Sequence, residues 1–185
     1  MRDVAFQKIG RPERRPRRDP RDNLPEGEGS PWLALIGFIG LCLLVGASAA
    51  AANGPAMQSW YASLIRPWGT PPNWAFPVVW TLLYVMIGIS AWMIWWKAPQ
   101  GRRQTSALQL WGWQLLINAA WSPAFFGMRN PLLGLLVMGP LLMLLALTIV
   151  RFARLSRPAA LMLVPYLLWS GFAAYLNAGF WWLNR

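Results

Sequence analysis

From Gly29 to Arg185 the sequence contains no aspartate, glutamate or histidine. This absence excludes a carboxylate pair, an imidazole base and any metal site built from His, Asp or Glu in that part of the chain. All six acidic side chains lie within the first 28 residues, whereas all 14 tryptophans lie after them. The chain is therefore divided into a charged leader and a body in which acid–base catalysis is not expected.

Charge is scarce as well, since only 12% of the 185 residues are charged and 56% are hydrophobic. A soluble domain carries about 25% charged residues, so the composition is typical of a membrane protein. The net charge of +11 would suit a nucleic-acid partner in a soluble protein. Arginine and lysine in short loops also orient membrane proteins, and we favour that interpretation, with no nucleic-acid partner.

The first 30 residues are rich in Arg, Pro, Asp and Glu and hold too few apolar residues to bury a core. We therefore predict a disordered basic tail over residues 1–30, followed by one transmembrane domain over residues 31–185. The single cysteine, Cys42, lies in an apolar run of that domain and cannot form an internal disulfide.

Five apolar segments follow the tail, each of about 19 to 25 residues, which is enough to cross a hydrocarbon core of roughly 30 Å. Their approximate bounds are 31–52, 76–96, 108–126, 132–152 and 159–183. Because lipid offers the backbone no hydrogen-bond partner, such segments must be helical. The sequence thus predicts an all-α membrane protein, a five-transmembrane-helix bundle in the lipid bilayer.

Lysine and arginine are shared unevenly between the two sides of such a bundle. The side of the N-terminus has eight in residues 1–31, then Lys97, Arg102 and Arg103, and a further three between Arg151 and Arg157. The other side has only Arg66, Arg129 and Arg185. The positive-inside rule then places the N-terminus in the cytoplasm, for a bacterial-type inner membrane. An outer membrane, which need not follow this rule, stays open.

The connection between the first two segments is rich in proline and tryptophan. Four prolines occur within the eleven residues from Pro67 to Pro77, together with Trp68 and Trp74. Because proline fixes the backbone, this loop is stiff. It fits either a shaped lid over the bundle or an interfacial loop without a ligand.

Three stretches together resemble the TspO/MBR family of tryptophan-rich sensory proteins and translocator proteins. They are the loop from Arg66 that continues into Val78–Tyr84, the motif NAAWSPAFFG at 118–127, and Val164–Asn177. They occur in the family's order, and the resemblance covers about residues 32–180. It implies a five-helix fold, a homodimer, and the binding of porphyrins, sterols and benzodiazepine-type drugs.

The loop departs from the family pattern at one position. Where relatives commonly have Lys-Pro-x-Trp-x-Pro-Pro, this chain has Gly69 at the tryptophan position and Trp68 one residue earlier. Trp68 is therefore the candidate to replace the missing indole in ligand binding.

Helical spacing arranges further candidate ligand contacts in three stripes. The stripes are Phe76, Trp80 and Tyr84; Asn118 and Trp121; and Trp169, Ala173 and Asn177. Such stripes alone also fit ordinary helix packing, but the family resemblance assigns them to one pocket. Ala173 is small enough to leave room for a flat ligand, and asparagines inside a span need a partner or a ligand.

A pocket of this kind suits a planar hydrophobic molecule, and a porphyrin, which the resemblance implies, can stack on indole rings. Its propionates could pair with Arg66 or Arg129, which lie on the membrane face of the loop. The histidine-free body offers no evident axial ligand to iron. We therefore expect porphyrin as the ligand, with no metal and no required cofactor.

Three functions are compatible with these residues. The leading one is a non-enzymatic membrane sensor, receptor or transporter for porphyrins and related hydrophobic ligands, acting as a homodimer. The second is an enzyme that degrades porphyrin in light and oxygen, with tryptophan as the redox-active group. The third is a structural membrane scaffold whose basic tail binds partners.

Overall fold

The structure, a computed structural model, describes residues 30–185, and for residues 52–58 it describes only the backbone. The predicted disordered tail lies outside the described residues, apart from Ser30, and stays a prediction. Residues 30–185 consist of helices joined by short connections, and this part of the chain contains no strand. The prediction of an all-α protein is confirmed.

Five long helices carry the architecture of residues 30–185. They are α1 (Pro31–Gln58), α3 (Ala75–Lys97), α4 (Arg102–Ser122), α5 (Pro131–Ala153) and α6 (Arg157–Leu183), with a four-residue α2 (Trp60–Ser63) after α1 and a π-helical segment (Pro123–Gly127) after α4. The apolar segments of the sequence coincide with these helices. Two ends differ: α1 continues through Pro55, and α4 begins six residues before the predicted Leu108. Proline removes one hydrogen bond from a helix but does not always end it.

Local capping explains two of the helix starts. The side chain of Asn130 accepts a hydrogen bond from the backbone N–H of Leu133 at 3.1 Å, directly before Pro131 opens α5. Ser156 accepts in the same way from the N–H of Ala159 at 3.5 Å at the start of α6. Both residues therefore satisfy an N–H group that the first turn of a helix leaves without a partner.

Within the described residues 30–185, four segments are long and apolar enough to cross a membrane: Pro31–Ala51 of α1, and the whole of α3, α5 and α6. The helix α4 is not among them, because glutamine and asparagine lower its hydropathy. Three of these polar side chains, Gln104, Gln114 and Asn118, are buried inside the bundle. The outer face of α4 instead exposes Trp113 and Leu116. This helix thus buries several of its polar side chains and exposes some of its apolar ones, and its crossing of the membrane stays a prediction.

The helices pack as a bundle in which α5 contacts α4 and α6, while α3 contacts α1 and α6. A main apolar core lies between them, with Ile87, Trp111, Leu145 and Tyr166 among its members. A second, aromatic cluster lies at the end of the bundle where α2 is found, and its buried members are Tyr61, Phe125, Phe126, Leu176 and Phe180.

The contact between α1 and α3 depends on a glycine. A Cβ atom added at Gly88 of α3 would lie 2.7 Å from the backbone Cα of Ile39 in α1. At the N-terminal end of α1, the indole of Trp92 donates a hydrogen bond to the carbonyl of Pro31 at 2.8 Å and stacks on Trp32. Close backbone approach at a small residue is a common way for membrane helices to associate.

We predict that Gly88→Ala separates α1 from α3 and destabilises the protein by about 1–3 kcal/mol, the usual cost of overpacking. The measurement is thermal unfolding of the purified protein in detergent. The matched control is Gly112→Ala in α4, where an added Cβ would meet nothing within 4 Å. Equal unfolding temperatures for the two variants would contradict the close approach at Gly88.

Candidate functional site

A cavity of about 520 Å³ lies between α1, α3, α4 and α6, in the half of the bundle that holds the α2 end. Its walls come from α1 (Leu43, Gly46, Ala47, Ala49, Ala50), the α1–α3 connection (Tyr61, Asn73), α3 (Phe76, Pro77, Trp80, Thr81, Tyr84), α4 and the π-helical segment (Asn118, Trp121, Ser122, Phe125, Phe126) and α6 (Ala173, Leu176, Asn177, Phe180). This volume lies within the range of about 300–1,000 Å³ that is usual for small-molecule sites.

The α1 wall of the cavity is built from small side chains. Gly46, Ala47, Ala49 and Ala50 follow one another closely there. A Cβ atom at Gly46 would come within 2.6 Å of two ring carbons of Tyr84, so a side chain at this position would displace that ring. Small residues on α1 therefore leave open space beside the aromatic residues of α3.

Two hydrogen bonds of Asn177, at the cavity wall, connect three helices. Its Oδ1 accepts a hydrogen bond from the indole Nε1 of Trp121 on α4 at 3.0 Å. Its Nδ2 donates to the carbonyl of Pro131, the first residue of α5. Asn177 is 1% exposed, so both halves of its buried amide are satisfied by neighbouring helices.

Another hydrogen bond among the cavity residues connects α3 with α4. The hydroxyl of Tyr84 donates to Oδ1 of Asn118 at 2.7 Å, and both residues are buried. The ring of Tyr84 also packs against Trp80, with 5.5 Å between ring centroids. This hydrogen bond and this ring contact connect Trp80, Tyr84 and Asn118, which form the floor of the cavity.

Seven of the nine ligand-binding residues predicted from the sequence line this cavity: Phe76, Trp80, Tyr84, Asn118, Trp121, Ala173 and Asn177. The remaining two do not. Trp169 packs behind the wall, with its ring centroid 6.0 Å from that of Phe76. Trp68 is 89% exposed and does not face the cavity.

Neither of the arginines predicted to pair with propionates lines the cavity. The guanidinium of Arg66 lies over the ring of Tyr61, 5.6 Å from its centroid, and Tyr61 does line the cavity. Arg66 is thus one side chain away from the space. Arg129 lies in the turn before α5, with a positive φ of 49°.

Several lining residues were not predicted from the sequence. Tyr61, Phe125, Phe126 and Phe180 form one aromatic cluster, in which Tyr61 approaches Phe180 to 5.2 Å between centroids. Burial raises the pKa of the Tyr61 phenol above its usual value, an effect that the charge of Arg66 opposes. Phe125 and Phe126 belong to the NAAWSPAFFG motif, which was a usable signal. The small residues of α1 carry no comparable signal.

The loop after α2, residues 64–74, is attached at three points to the C-terminal half of α6 and to Asn184, which directly follows that helix. Asn184 accepts from the N–H of Ile65 at 2.8 Å and donates to the carbonyl of the same residue at 3.0 Å. The hydroxyl of Tyr175 donates to the carbonyl of Trp68 at 3.1 Å. Buried Pro67 lies against Gly179, where an added Cβ would come within 2.6 Å of the proline ring. We call these three contacts the loop clamp.

Comparison with known proteins agrees with this architecture. The family model described as TspO/MBR matches residues 38–183. The chain belongs to the TspO/MBR family.

Several relatives are similar over most of their length. The tryptophan-rich protein TspO of Chlorobaculum tepidum is 42% identical over 146 residues, 78% of this chain and 92% of the relative. The tryptophan-rich protein TspO of Archaeoglobus fulgidus is 38% identical over 152 residues, 82% and 97% of the two chains. The translocator protein of Bos taurus is 37% identical over 160 residues, 84% and 92%. With its four apolar helices, this TspO/MBR protein is an integral membrane protein.

The departure at Gly69 has a structural counterpart in this TspO/MBR protein. Gly69 has a φ of +80°, a backbone conformation that residues other than glycine rarely adopt. A tryptophan at this position would be strained in the loop as it is folded here. The neighbouring Trp68 is exposed and does not line the cavity. In this structure its indole therefore does not take the place of a tryptophan at position 69 as a contact to the cavity.

We predict that Asn184→Ala opens the loop clamp, because three hydrogen bonds of Asn184 are lost, two to Ile65 and one to Phe180. Each is worth about 0.5–1.5 kcal/mol. The amide proton of Ile65 should then exchange with solvent roughly tenfold faster, measured by hydrogen–deuterium exchange.

The control for this variant is Arg185→Ala, which removes the adjacent exposed side chain, whose guanidinium lies over the rings of Trp181 and Trp182. It should leave the exchange of Ile65 unchanged. Unchanged exchange in Asn184→Ala as well would mean that the clamp does not hold the loop.

Proposed function

We propose that this TspO/MBR protein binds a flat hydrophobic ligand of the porphyrin class in the cavity and acts as a membrane sensor or carrier for it. The observation that carries the proposal is a space of about 520 Å³ lined by two indoles and several phenyl rings, with few polar atoms. A planar ring system gains both burial and stacking in such a space. The names of the relatives, sensory and translocator proteins, fit this class of function.

The arrangement of the aromatic side chains supports a planar ligand. Trp80 and Phe76 come from α3, while Trp121 stacks on Phe125 with 24° between the ring planes. The cavity therefore has aromatic surfaces on two sides. Ala173, between them on α6, leaves the width that a ring system needs.

The charge at the rim supports a ligand with carboxylates. Arg66 is held against Tyr61, and the sequence supplies no aspartate or glutamate from Gly29 onward to neutralise it. A ligand propionate that leaves the cavity near Tyr61 would find this cation. A charge-assisted hydrogen bond of this kind is stronger than a neutral one.

Light-dependent porphyrin degradation is a second candidate, because Trp80 and Trp121 line the cavity and their indoles would contact a bound ligand. Illumination in oxygen separates it from binding alone. Loss of porphyrin absorption that requires the protein and Trp80 would favour the enzyme, and a stable spectrum would favour the sensor or carrier.

We further infer that α4 is a fifth transmembrane helix and that the N-terminus lies in the cytoplasm. The 21 residues of α4 span about 31 Å at 1.5 Å per residue, the thickness of a hydrocarbon core. Its buried polar side chains and exposed Trp113 and Leu116 suit a lipid environment. The homodimer implied by the family resemblance stays a prediction.

The binding proposal is tested by titrating protoporphyrin into the purified full-length protein in the dark, with tryptophan fluorescence quenching as the readout. Ala173→Leu places three further carbons into the cavity. Overpacking of about 1–3 kcal/mol predicts an affinity lower by roughly 5- to 150-fold.

The matched control for Ala173→Leu is Ala120→Leu, since Ala120 is exposed on α4 and lies outside the cavity lining. It should bind like the parent. If the folded Ala173→Leu variant binds porphyrin as tightly as the parent, the ligand does not occupy this cavity.

The topology is tested by cysteine accessibility in intact cells, since the native Cys42 is fully buried. Gln100→Cys lies in the loop between α3 and α4, and Met128→Cys lies in the turn between the π-helical segment and α5. A membrane-impermeant maleimide should label position 128 and not position 100. Labelling of both from outside would contradict a crossing by α4, and labelling of position 100 alone would reverse the orientation.

A further inference from the structure

Among residues 30–185, six cationic side chains lie at the end of the bundle where α1 begins. The helices α3 and α5 end there, and α4 and α6 start there. All six side chains are exposed. We call this set the basic end, and its members are Lys97, Arg102, Arg103, Arg151, Arg154 and Arg157.

Three hydrogen bonds to α3 show that these helix ends lie together. The indole of Trp92 donates to the first carbonyl of α1 at 2.8 Å. The amide of Gln104, in the first turn of α4, donates to the carbonyl of Trp95 at 2.8 Å. Ser90 donates to the carbonyl of Ala159, in the first turn of α6, at 2.8 Å. All three contacts on α3 lie within two turns of its C-terminal end, so the chain enters α1 beside the basic end.

The bundle itself cannot neutralise the basic end. From Gly29 onward the sequence contains no aspartate or glutamate, so no side chain of residues 30–185 can form an ion pair with these cations. A surface with one sign of charge attracts groups of the opposite sign. The basic end therefore fits an anionic partner.

The chain directly before α1 carries the missing carboxylates. Residues 19–28 contain four acidic side chains against one arginine, a net charge of −3. Residues 1–18 contain seven lysines and arginines against two acidic residues, a net charge of +5. The acidic block, residues 19–28, is thus the part of the tail next to the bundle. Its carboxylates belong to Asp19, Asp22, Glu26 and Glu28.

The acidic block is tethered within reach of the basic end. Only Gly29 and Ser30 separate it from Pro31, where α1 begins. Ten extended residues span up to about 33 Å, whereas the axes of packed helices lie about 8–10 Å apart. A short tether of this kind raises the effective concentration of the block at the basic end to the millimolar range.

Anionic lipid headgroups are the competing partner of the basic end. They would repel a block with a net charge of −3 that is held at the membrane surface. Pairing of the block with the cations of the bundle offsets this repulsion. The position of the carboxylates, directly before the span and beside the cations, therefore favours the chain's own acidic block over lipid.

We propose that residues 19–28 dock on the basic end through ion pairs between their carboxylates and the six cations. Exposed ion pairs contribute little singly and more as a network, so the docking depends on several of them together. It requires no helix or strand in the block and is compatible with a tail that does not fold. The docking is independent of the cavity ligand and of the compartment that the basic end faces.

Lys97 permits a direct test, because the only other lysine of the chain is Lys8. A carbodiimide joins an amine and a carboxylate that are in contact, and takes up the water that amide formation releases. In the purified full-length monomer in neutral detergent, mass spectrometry after proteolysis should find an amide between Lys97 and the acidic block. Lys97→Arg keeps the charge and should abolish it. Absence of this amide in the parent protein overturns the proposal.

Charge variants separate docking from mere proximity along the chain. The double variant Arg102→Gln and Arg154→Gln keeps Lys97 and should lower the yield of the amide roughly 2- to 30-fold, if each lost ion pair is of ordinary strength. The matched double variant Arg129→Gln and Arg185→Gln, at the opposite end of the bundle, should leave the yield unchanged. Equal yields in the two double variants overturn the proposal.

Salt tests the same point without a substitution. Raising the salt from about 0.1 M to about 1 M shortens the screening length from about 10 Å to about 3 Å, so the yield of the amide in the parent should fall. A yield that does not change with salt contradicts docking by charge.

Lipid composition distinguishes the two anionic partners. The amide should form in nanodiscs of phosphatidylcholine and also in nanodiscs of phosphatidylcholine and phosphatidylglycerol in equal parts. Its loss in the second case assigns the basic end to lipid headgroups and overturns the proposal. None of these measurements involves porphyrin, so the docking and the cavity proposal fail separately.

Discussion

The structure depends on one constraint, which is that a polar group inside an apolar bundle needs a hydrogen-bond partner that lipid cannot supply. Asn177 meets it by joining the indole of Trp121 on α4 to the first carbonyl of α5. The amide of Gln104 meets it by donating to the carbonyls at the C-terminal end of α3. These bonds help to set the relative positions of α3, α4, α5 and α6, and the cavity lies between α1, α3, α4 and α6.

The placement of three polar side chains of α4 follows from the same constraint. Gln104, Gln114 and Asn118 turn inward, where Gln104 meets the carbonyls of α3 and Asn118 meets the hydroxyl of Tyr84. A cavity beside such a helix receives a few oriented polar atoms on an otherwise aromatic wall. This combination gives a hydrophobic ligand both a surface for stacking and a limited set of directions for hydrogen bonds.

The loop between α1 and α3 illustrates how position can matter more than residue type. Its prolines and tryptophans suggest ligand contact, but the clamp to Asn184, Tyr175 and Gly179 turns the indole of Trp68 outward. Pro67 is the buried member of this segment. The part of the connection that does reach the cavity is Tyr61, on α2, which also holds Arg66 near the rim.

The sequence by itself determined the helical class, the membrane environment, the family and seven of the cavity residues. Long apolar runs without acidic side chains admit only helices in lipid, and residues three or four apart on a helix share a face, so Phe76, Trp80 and Tyr84 were found together. Only the tertiary structure decided that Trp169 lies behind the wall, that Trp68 faces outward and that small residues of α1 close the cavity. Periodicity fixes which residues share a face of one helix. The rotation of that helix against its neighbours depends on contacts between distant residues, such as Asn184 with Ile65, that no local pattern contains.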